Sequence, residues 1–404
     1  MHINYLALGI PFMLLIIYLE YILAKKRKLM TVFRYESTVV NLSIGIADRF
    51  FDIFCSTIFY ATYYFLYEHW HFFEIGDAWY IWALLLLATD LVWYWYHRLG
   101  HKINILWAAH IVHHHSEEFN YTSAVRITVF QAFIRSAFWS VLPLIGFQPK
   151  MVIPVLMFHG VYSFFTHTRL VGKLGLLEYV FITPSLHRVH HASDEKYLDK
   201  NFGDIFVFWD KLFGTFMAEE EEPHYGIVHG LETNSFLWQH FHYYLEIAVA
   251  FQRAKNWKDK WRAAFGGPNE MNPAIRRLLE RKFKVMKVSS ATNLMIRKYI
   301  NMQMVGCVLV LMMVMFFYSD LSFVVYLLSL AFVLVTLVVC GALLDGRNYV
   351  LVLEGLRFGL LMPWLLYMLI GSWWISICSA FAGLFTIFLF YKHFVMREMK
   401  MSLF

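Results

Sequence analysis

Eight of the chain's 19 histidines fall into three short clusters, and their spacing constrains the fold more than any other feature. His97 and His101 read as H-x-x-x-H, while His110, His113, His114 and His187, His190, His191 both read as H-x-x-H-H. On a helix, residues three and four apart share a face, so each cluster predicts a helical segment with its imidazoles on one side. Neutral imidazole is the commonest side-chain metal ligand near pH 7. Eight are too many for one tetrahedral ion and about right for two ions held close together. A lone histidine on an apolar face is more often a hydrogen-bonded core residue, but three arrays in one chain point to a two-metal site.

Composition says where that site belongs. Hydrophobic residues make up 59% of the 404 and charged ones 16%, with a mean hydropathy of +0.51. These values lie outside the range of soluble domains and predict an all-α, multi-pass integral membrane bundle. Cys55, Cys307, Cys340 and Cys378 stand far apart in apolar runs, without C-x-x-C spacing, and read as packing residues.

The first expected span, Ile3 to Leu23, ends in Lys25, Lys26, Arg27 and Lys28, which places that end in the cytoplasm. With no small-residue cleavage site after it, the segment reads as an anchor. Further spans are expected at Thr38 to Tyr67 and Trp79 to Tyr96, joined by the acidic, aromatic loop Glu68 to Asp77. The third span then delivers His97 and His101 to the cytoplasmic membrane surface. Ile127 to Gly146 and Met151 to Phe165 predict a helical hairpin that dips in and returns, turning at Gly146 and Pro149.

Residues 168–300 are mostly polar or amphipathic. Within 251–298 stand 13 Lys and Arg against Asp259, Glu270 and Glu280, a net of +10 in a chain of net +6. This predicts a basic segment lying against anionic headgroups rather than a nucleic-acid site. The run Glu219 to Glu222 reads as a solvated loop. Four more spans are expected near 302–318, 322–343, 350–370 and 372–392. Lys392, His393, Arg397 and Lys400 then put the C-terminus in the cytoplasm. Glu354 and Arg357 sit three apart inside one span, as a functional or a mutually neutralising pair; Arg49 and Asp52 read as a buried pair in the second. The expected organisation is 1–78 N-terminal membrane helices, 79–250 catalytic domain, 251–300 basic amphipathic cytoplasmic segment and 301–404 C-terminal membrane helices. There is no internal repeat or low-complexity segment.

The run from Asp90 through His97-Arg-Leu-Gly-His101 and Leu106-Trp-Ala-Ala-His110-Ile-Val-His113-His114 resembles the fatty acid hydroxylase/sterol desaturase superfamily. Thr183-Pro-Ser-Leu-His187-Arg-Val-His190-His191, with Asp199-Lys-Asn-Phe-Gly203 and Trp209-Asp-Lys-Leu-Phe-Gly-Thr-Phe216, is most similar to its alkylglycerol monooxygenase branch. The similarity covers roughly residues 80–245, with a weaker echo at Phe265-Gly-Gly-Pro268. It implies a membrane-bound, non-haem di-iron oxygenase that uses dioxygen on the chain of a lipid, with the eight clustered histidines as metal ligands. His167 and His242 stand at matching positions and are candidates for ligands or their supports. The chain departs from the branch at Lys102, where an acid follows the second histidine of the first cluster. The electron donor implied by the resemblance is a reduced pterin, as in that branch, or a small redox protein, as in other relatives.

That chemistry suits the donor set, since imidazole-rich ligation fits iron and breaking an unactivated C–H bond needs a cofactor. Ligand histidines usually donate their second ring nitrogen to an acceptor. Asp90, two turns before His97, and Asp199, Asn201 and Asp204 after the last cluster are the candidate acceptors. Sterol or fatty acyl hydroxylation or desaturation remains open within the superfamily. A zinc hydrolase lacks its H-E-x-x-H glutamate here, and a metal transporter would carry ligands along a path through the bilayer.

Overall fold

The computed structural model describes residues 5–285 and 293–390. Ile3 of the expected first span, Lys287 of the basic stretch, and Lys392, His393, Arg397 and Lys400 lie outside them. Among the described residues the regular structure is helical, with two isolated bridges, Phe181 to Phe206 and Ala192 to Tyr225. Contacts divide the chain into two compact units, 12–232 with 237–285, and 1–11 with 233–236 and 286–404.

The first unit holds all three histidine clusters. Its helices are α1 (Gly9–Lys26, from Phe12 onward), α2 (Tyr35–Trp70), α3 (Trp79–Lys102), α4 (Asn104–His114), α5 (Val129–Trp139), α6 (Pro149–Thr166), α7 (Pro184–His190), α8 (Phe236–Arg253, from Leu237 onward), α9 (Trp257–Phe265) and α10 (Pro273–Phe283). The expected hairpin forms from α5, a short turn of helix and α6. Thr128 caps α5 by accepting from the Gln131 N–H at 3.1 Å, and Pro149 opens α6, where its missing N–H costs nothing. The reversal needs Gly146, at φ 127°, because a Cβ there would lie 2.0 Å from the Phe73 carbonyl oxygen. Phe59, Tyr63, Leu85, Trp139, Leu142 and Val152 of these elements and α2 and α3 form the core that holds α3 in place.

The second unit contains, among the described residues, the three helices long and apolar enough to cross a membrane: Leu294–Asp320, which includes α11 (Leu294–Phe317), α12 (Phe323–Leu344) and α13 (Val350–Ile370). After them α14 (Trp373–Phe390) has a shorter apolar stretch. The described parts of the expected spans at 3–23, 38–67 and 79–96 are helical, and α2 and α3 are as long as the helices above, yet they do not reach the same apolarity. The reason is charge and polarity within them. Glu20 with Lys25 and Lys26 falls in 18-residue α1, Asp48, Arg49 and Asp52 in mid-α2, and Asp90 in α3. Glu20 is buried, accepting from the Tyr121 N–H at 2.8 Å and the Thr168 hydroxyl at 2.5 Å, so it ties α1 to the loops around the hairpin.

Two further expectations change in folding. Glu219 is buried and takes two 2.7 Å bonds from the Arg188 guanidinium on α7, so only 220–222 of that acidic run are solvated. Arg49 pairs with Asp52 at 3.2 Å, but the pair is half-exposed rather than buried, and Asp48, which is buried, and Arg135 join it. Cys55, Cys307 and Cys340 are buried and free, whereas Cys378 is exposed.

Candidate metal centre

α3, α4 and α7 bring the eight clustered histidines together, and the end of α6 adds His167. Among the described residues they sort into two adjacent groups, each with its possible ligand atoms within 4.8 Å of one another. His97, His101, His110, His114 and His190 make one; His113, His167, His187 and His191 make the other. Helix geometry explains the sorting. A residue four along is turned about 40° one way and a residue three along about 60° the other way. The i, i+4 pairs His97/His101, His110/His114 and His187/His191 therefore each stay in one group, while the i+3 members His113 and His190 cross to the other. The groups touch: His114 and His191 stack with ring centroids 4.4 Å apart.

The donor atoms converge in a way that protons alone cannot satisfy. His167 Nε2 lies 3.2 Å from His113 Nε2 and 3.0 Å from His187 Nε2, although its one lone pair can accept only one bond. His114 Nε2 and His110 Nε2 face each other at 3.1 Å. Buried Nε2 atoms of His97, His101, His190 and His191 have no hydrogen-bond partner among the described residues. Burial followed by the neighbouring imidazoles pushes the histidine pKa values down, to about 3 for His97; burial alone takes His167 to about 4. His114 and His191 are lowered for the same reasons. These rings are therefore neutral at pH 7, with lone pairs turned inward, which is the state a metal ion requires. The donor set fits two ions.

The partners that fix the rings are backbone carbonyls. Phe202 O receives His97 Nδ1–H at 2.9 Å, Lys200 O receives that of His190 at 2.9 Å, and Ser163 O that of His167 at 2.7 Å. Each bond places the proton on Nδ1 and frees Nε2. Asp199 alone among the expected acceptors faces one of these nine rings, 3.7 Å from His101 Nδ1, and also pairs with Lys102.

Asp90 and Asn201 act one step further out and touch none of the nine imidazoles' outer nitrogens. Asp90 accepts from the Ile205 and Phe206 N–H groups and from Trp209 Nε1 at 3.0–3.1 Å. Asn201, at φ 52°, donates to Leu186 O and Met217 O and accepts from Met217 N–H. Asp210 receives the Phe202 and Gly203 N–H groups, both at 2.8 Å. A Cβ on Gly203 would stand 2.7 Å from Phe206 O and 2.9 Å from Asp210 Oδ2, so that approach requires glycine. Together these residues clamp the loop that offers the Phe202 and Lys200 carbonyls.

His242 lies apart from both groups, with its Nε2 3.2 Å from that of His115, whose Nδ1 faces Gln239 at 2.8 Å. His159, which no spacing singles out, forms a third buried group with Asp90 and Asp204, its Nδ1 2.6 Å from Asp204. That contact is an ordinary hydrogen bond, and Asp90 already holds three donors, so the group reads as another loop clamp.

Comparisons with known proteins place the histidine-bearing segment in a family. The fatty acid hydroxylase family matches residues 82–215, which contain all nine histidines. Alkylglycerol monooxygenase of Homo sapiens is 32% identical over 94% of this chain and 89% of its own length. The Danio rerio protein of that name is 30% identical over 89% and 82%. The ornithine lipid hydroxylase OlsE of Rhizobium tropici is 30% identical over 33% of this chain and 41% of its own length. No solved structure matches significantly. The relatives are named monooxygenases and hydroxylases, which supports an oxidoreductase. With relatives of this kind aligned along nearly its whole length, the chain belongs to the fatty acid hydroxylase/sterol desaturase superfamily, in its alkylglycerol monooxygenase branch.

Proposed function

We propose that the chain is a membrane-bound, di-iron, dioxygen-dependent lipid oxygenase that cleaves the ether-linked alkyl chain of a glycerol lipid. The observation that carries this reading is the pair of adjacent all-imidazole groups, five donors beside four, at the centre of the family's own segment. His97, His101, His110, His114 and His190 would hold one ion and His113, His167, His187 and His191 the other. Bound iron supplies electrons to dioxygen and so an oxidant able to attack an unactivated C–H bond, which no side-chain acid or base can do. The chain's residues supply orientation and dryness. The Phe202, Lys200 and Ser163 carbonyls hold three rings in the metal-ready tautomer, and burial keeps protons off them.

The carbon next to an ether oxygen is the chemically favoured target, because the oxygen lone pairs stabilise the electron-poor carbon that forms as its C–H bond breaks. Hydroxylation there gives a hemiacetal, which collapses to a fatty aldehyde and a glycerol. The active site faces the cytoplasm in this reading, which the Lys25 to Lys28 cluster supports. Hydroxylation of an acyl chain is the second reading. It is favoured by Lys102, whose ion pair with Asp199 puts a cation beside His101 where the branch has an acid.

The test incubates the purified protein with a labelled alkylglycerol, dioxygen and either a reduced pterin or a reduced ferredoxin system. About two irons per chain and labelled fatty aldehyde are expected. Aldehyde with one donor identifies the reductant class. No aldehyde with either donor, and hydroxylated acyl chains instead, moves the enzyme to the second reading. Full activity with a single zinc overturns both.

A further inference from the structure

α9 carries a stripe of aromatic residues that the fold leaves uncovered. Trp257, Trp261 and Phe265 are 72%, 60% and 45% exposed. Their spacing of four residues puts them along one side of the helix, within about 80° of arc. Lys260 flanks the stripe on one edge and Lys258 and Arg262 on the other, with Arg253 and Lys255 just before the helix. The opposite side of α9 is engaged: Asn104, the first residue of α4, donates through Nδ2 to Ala263 O at 3.1 Å and through its N–H to Gly266 O at 2.9 Å. So α9 holds the start of the helix that carries His110, His113 and His114 and turns its aromatic side outward.

We infer that α9 is a membrane-surface anchor for the histidine-bearing unit, seating Trp257, Trp261 and Phe265 among the headgroups of an anionic lipid layer. Charge complementarity and residue type select this occupant. Tryptophan belongs at the headgroup level because one side of its ring system is apolar and its N–H is polar. Arg253, Lys255, Lys258 and Lys260 around three aromatics, with Arg262 paired to Glu270 and with Asp259 on the side away from the stripe, make the pattern of a short amphipathic helix lying in the interface plane. The consequence is positional: α4 and its three imidazoles stand at a depth set by α9, within reach of a lipid chain whose headgroup stays at the surface. This goes beyond the proposed reaction and is measured without it.

The experiment places a nitroxide at Trp261→Cys, and separately at Trp257→Cys, in full-length protein carrying Cys378→Ser and reconstituted in phosphatidylcholine vesicles with phosphatidylserine. Both positions are exposed, so the labels leave the fold intact. Relaxation by dissolved oxygen well above that by an aqueous nickel chelate is expected, with the reverse at a control label on Glu220→Cys. Replacing Lys255, Lys258 and Lys260 with Gln lowers the seated fraction roughly fivefold per cation and raises chelate contact accordingly. Labels as open to the chelate as the Glu220 control overturn the inference. Labels shielded from both reagents also overturn it, since a protein surface such as a second copy then covers α9. Correct depth without lipid oxidation refutes the proposed reaction alone.

Discussion

The two units both bury ionisable groups, and they treat them in opposite ways. In the second unit, Glu354 and Arg357 pair at 2.5 Å on α13, and Gln303, Thr336 and Tyr299 receive or relay the remaining charge at 2.7–3.0 Å. α13 widens to a π turn over Arg357–Leu361, the turn that begins at the arginine. Donors and acceptors come from α11, α12 and α13, so the network staples three helices. In the histidine-bearing unit, by contrast, Nε2 atoms of four buried rings have no partner among the described residues and other rings turn theirs toward one another. Buried polar groups cost free energy unless they are paired. The Glu354/Arg357 network meets charge with charge, although Arg357 Nε keeps no hydrogen-bond partner among the described residues, and serves as scaffold; a set of neutral donors left facing one another has no charge to balance it and is the arrangement a cation would complete.

That contrast breaks most sharply at His167, which lies outside the three clusters. His167→Ala should remove turnover as completely as His187→Ala and lower bound iron from about two per chain to about one. Iron and activity near normal in the His167 variant would remove it from the centre and leave three donors in that group.

Acid should separate the units next. The site histidines are held below their unfolded value of about 6.5, so below that pH the unfolded chain takes up protons that the folded site refuses. Stability of the metal-free protein is therefore fully present above about 6.5 and falls as pH drops toward 4, by up to about 1.4 kcal/mol per pH unit for each such ring. Thermal unfolding of metal-free protein at pH 7 and pH 5 measures this, and bound metal should flatten the dependence. Equal melting temperatures without metal would show that the rings are not held neutral.

In the second unit, Glu354→Ala strands Arg357 and should cost about 3–5 kcal/mol. Replacing both with Leu and Met should cost far less, and iron content and turnover per folded molecule should stay unchanged in either. A loss of turnover at full folding would make the network part of the chemistry.

The smallest effect is expected at Asp210, which reaches the centre only through the loop it clamps. Asp210→Asn keeps the side-chain shape but weakens its hold on the Phe202 and Gly203 N–H groups, and should lower iron affinity roughly 10–100-fold. The electronic spectrum of the iron-loaded variant should shift as His97 loses its fixed acceptor. Unchanged affinity and spectrum would reduce the loop to packing.

What the sequence determined on its own is what local spacing can carry. The i, i+3, i+4 arrays of histidine specify helical faces, because helix geometry does not depend on distant contacts; which rings fall into which group appears only once the helices pack. The apolar runs from residue 294 onward likewise mark helices of membrane length, since composition alone sets that property. The tertiary structure decided everything that depends on elements far apart in the chain meeting. His167, 20 residues from His187, becomes its neighbour only when α6 and α7 pack, and Glu219 leaves solvent only because Arg188 is buried beside it. Asp90 was expected near the rings by its two-turn spacing from His97, yet it binds a loop more than 100 residues away. The acceptors that fix the rings are main-chain carbonyls, which every residue possesses and no side-chain pattern can mark.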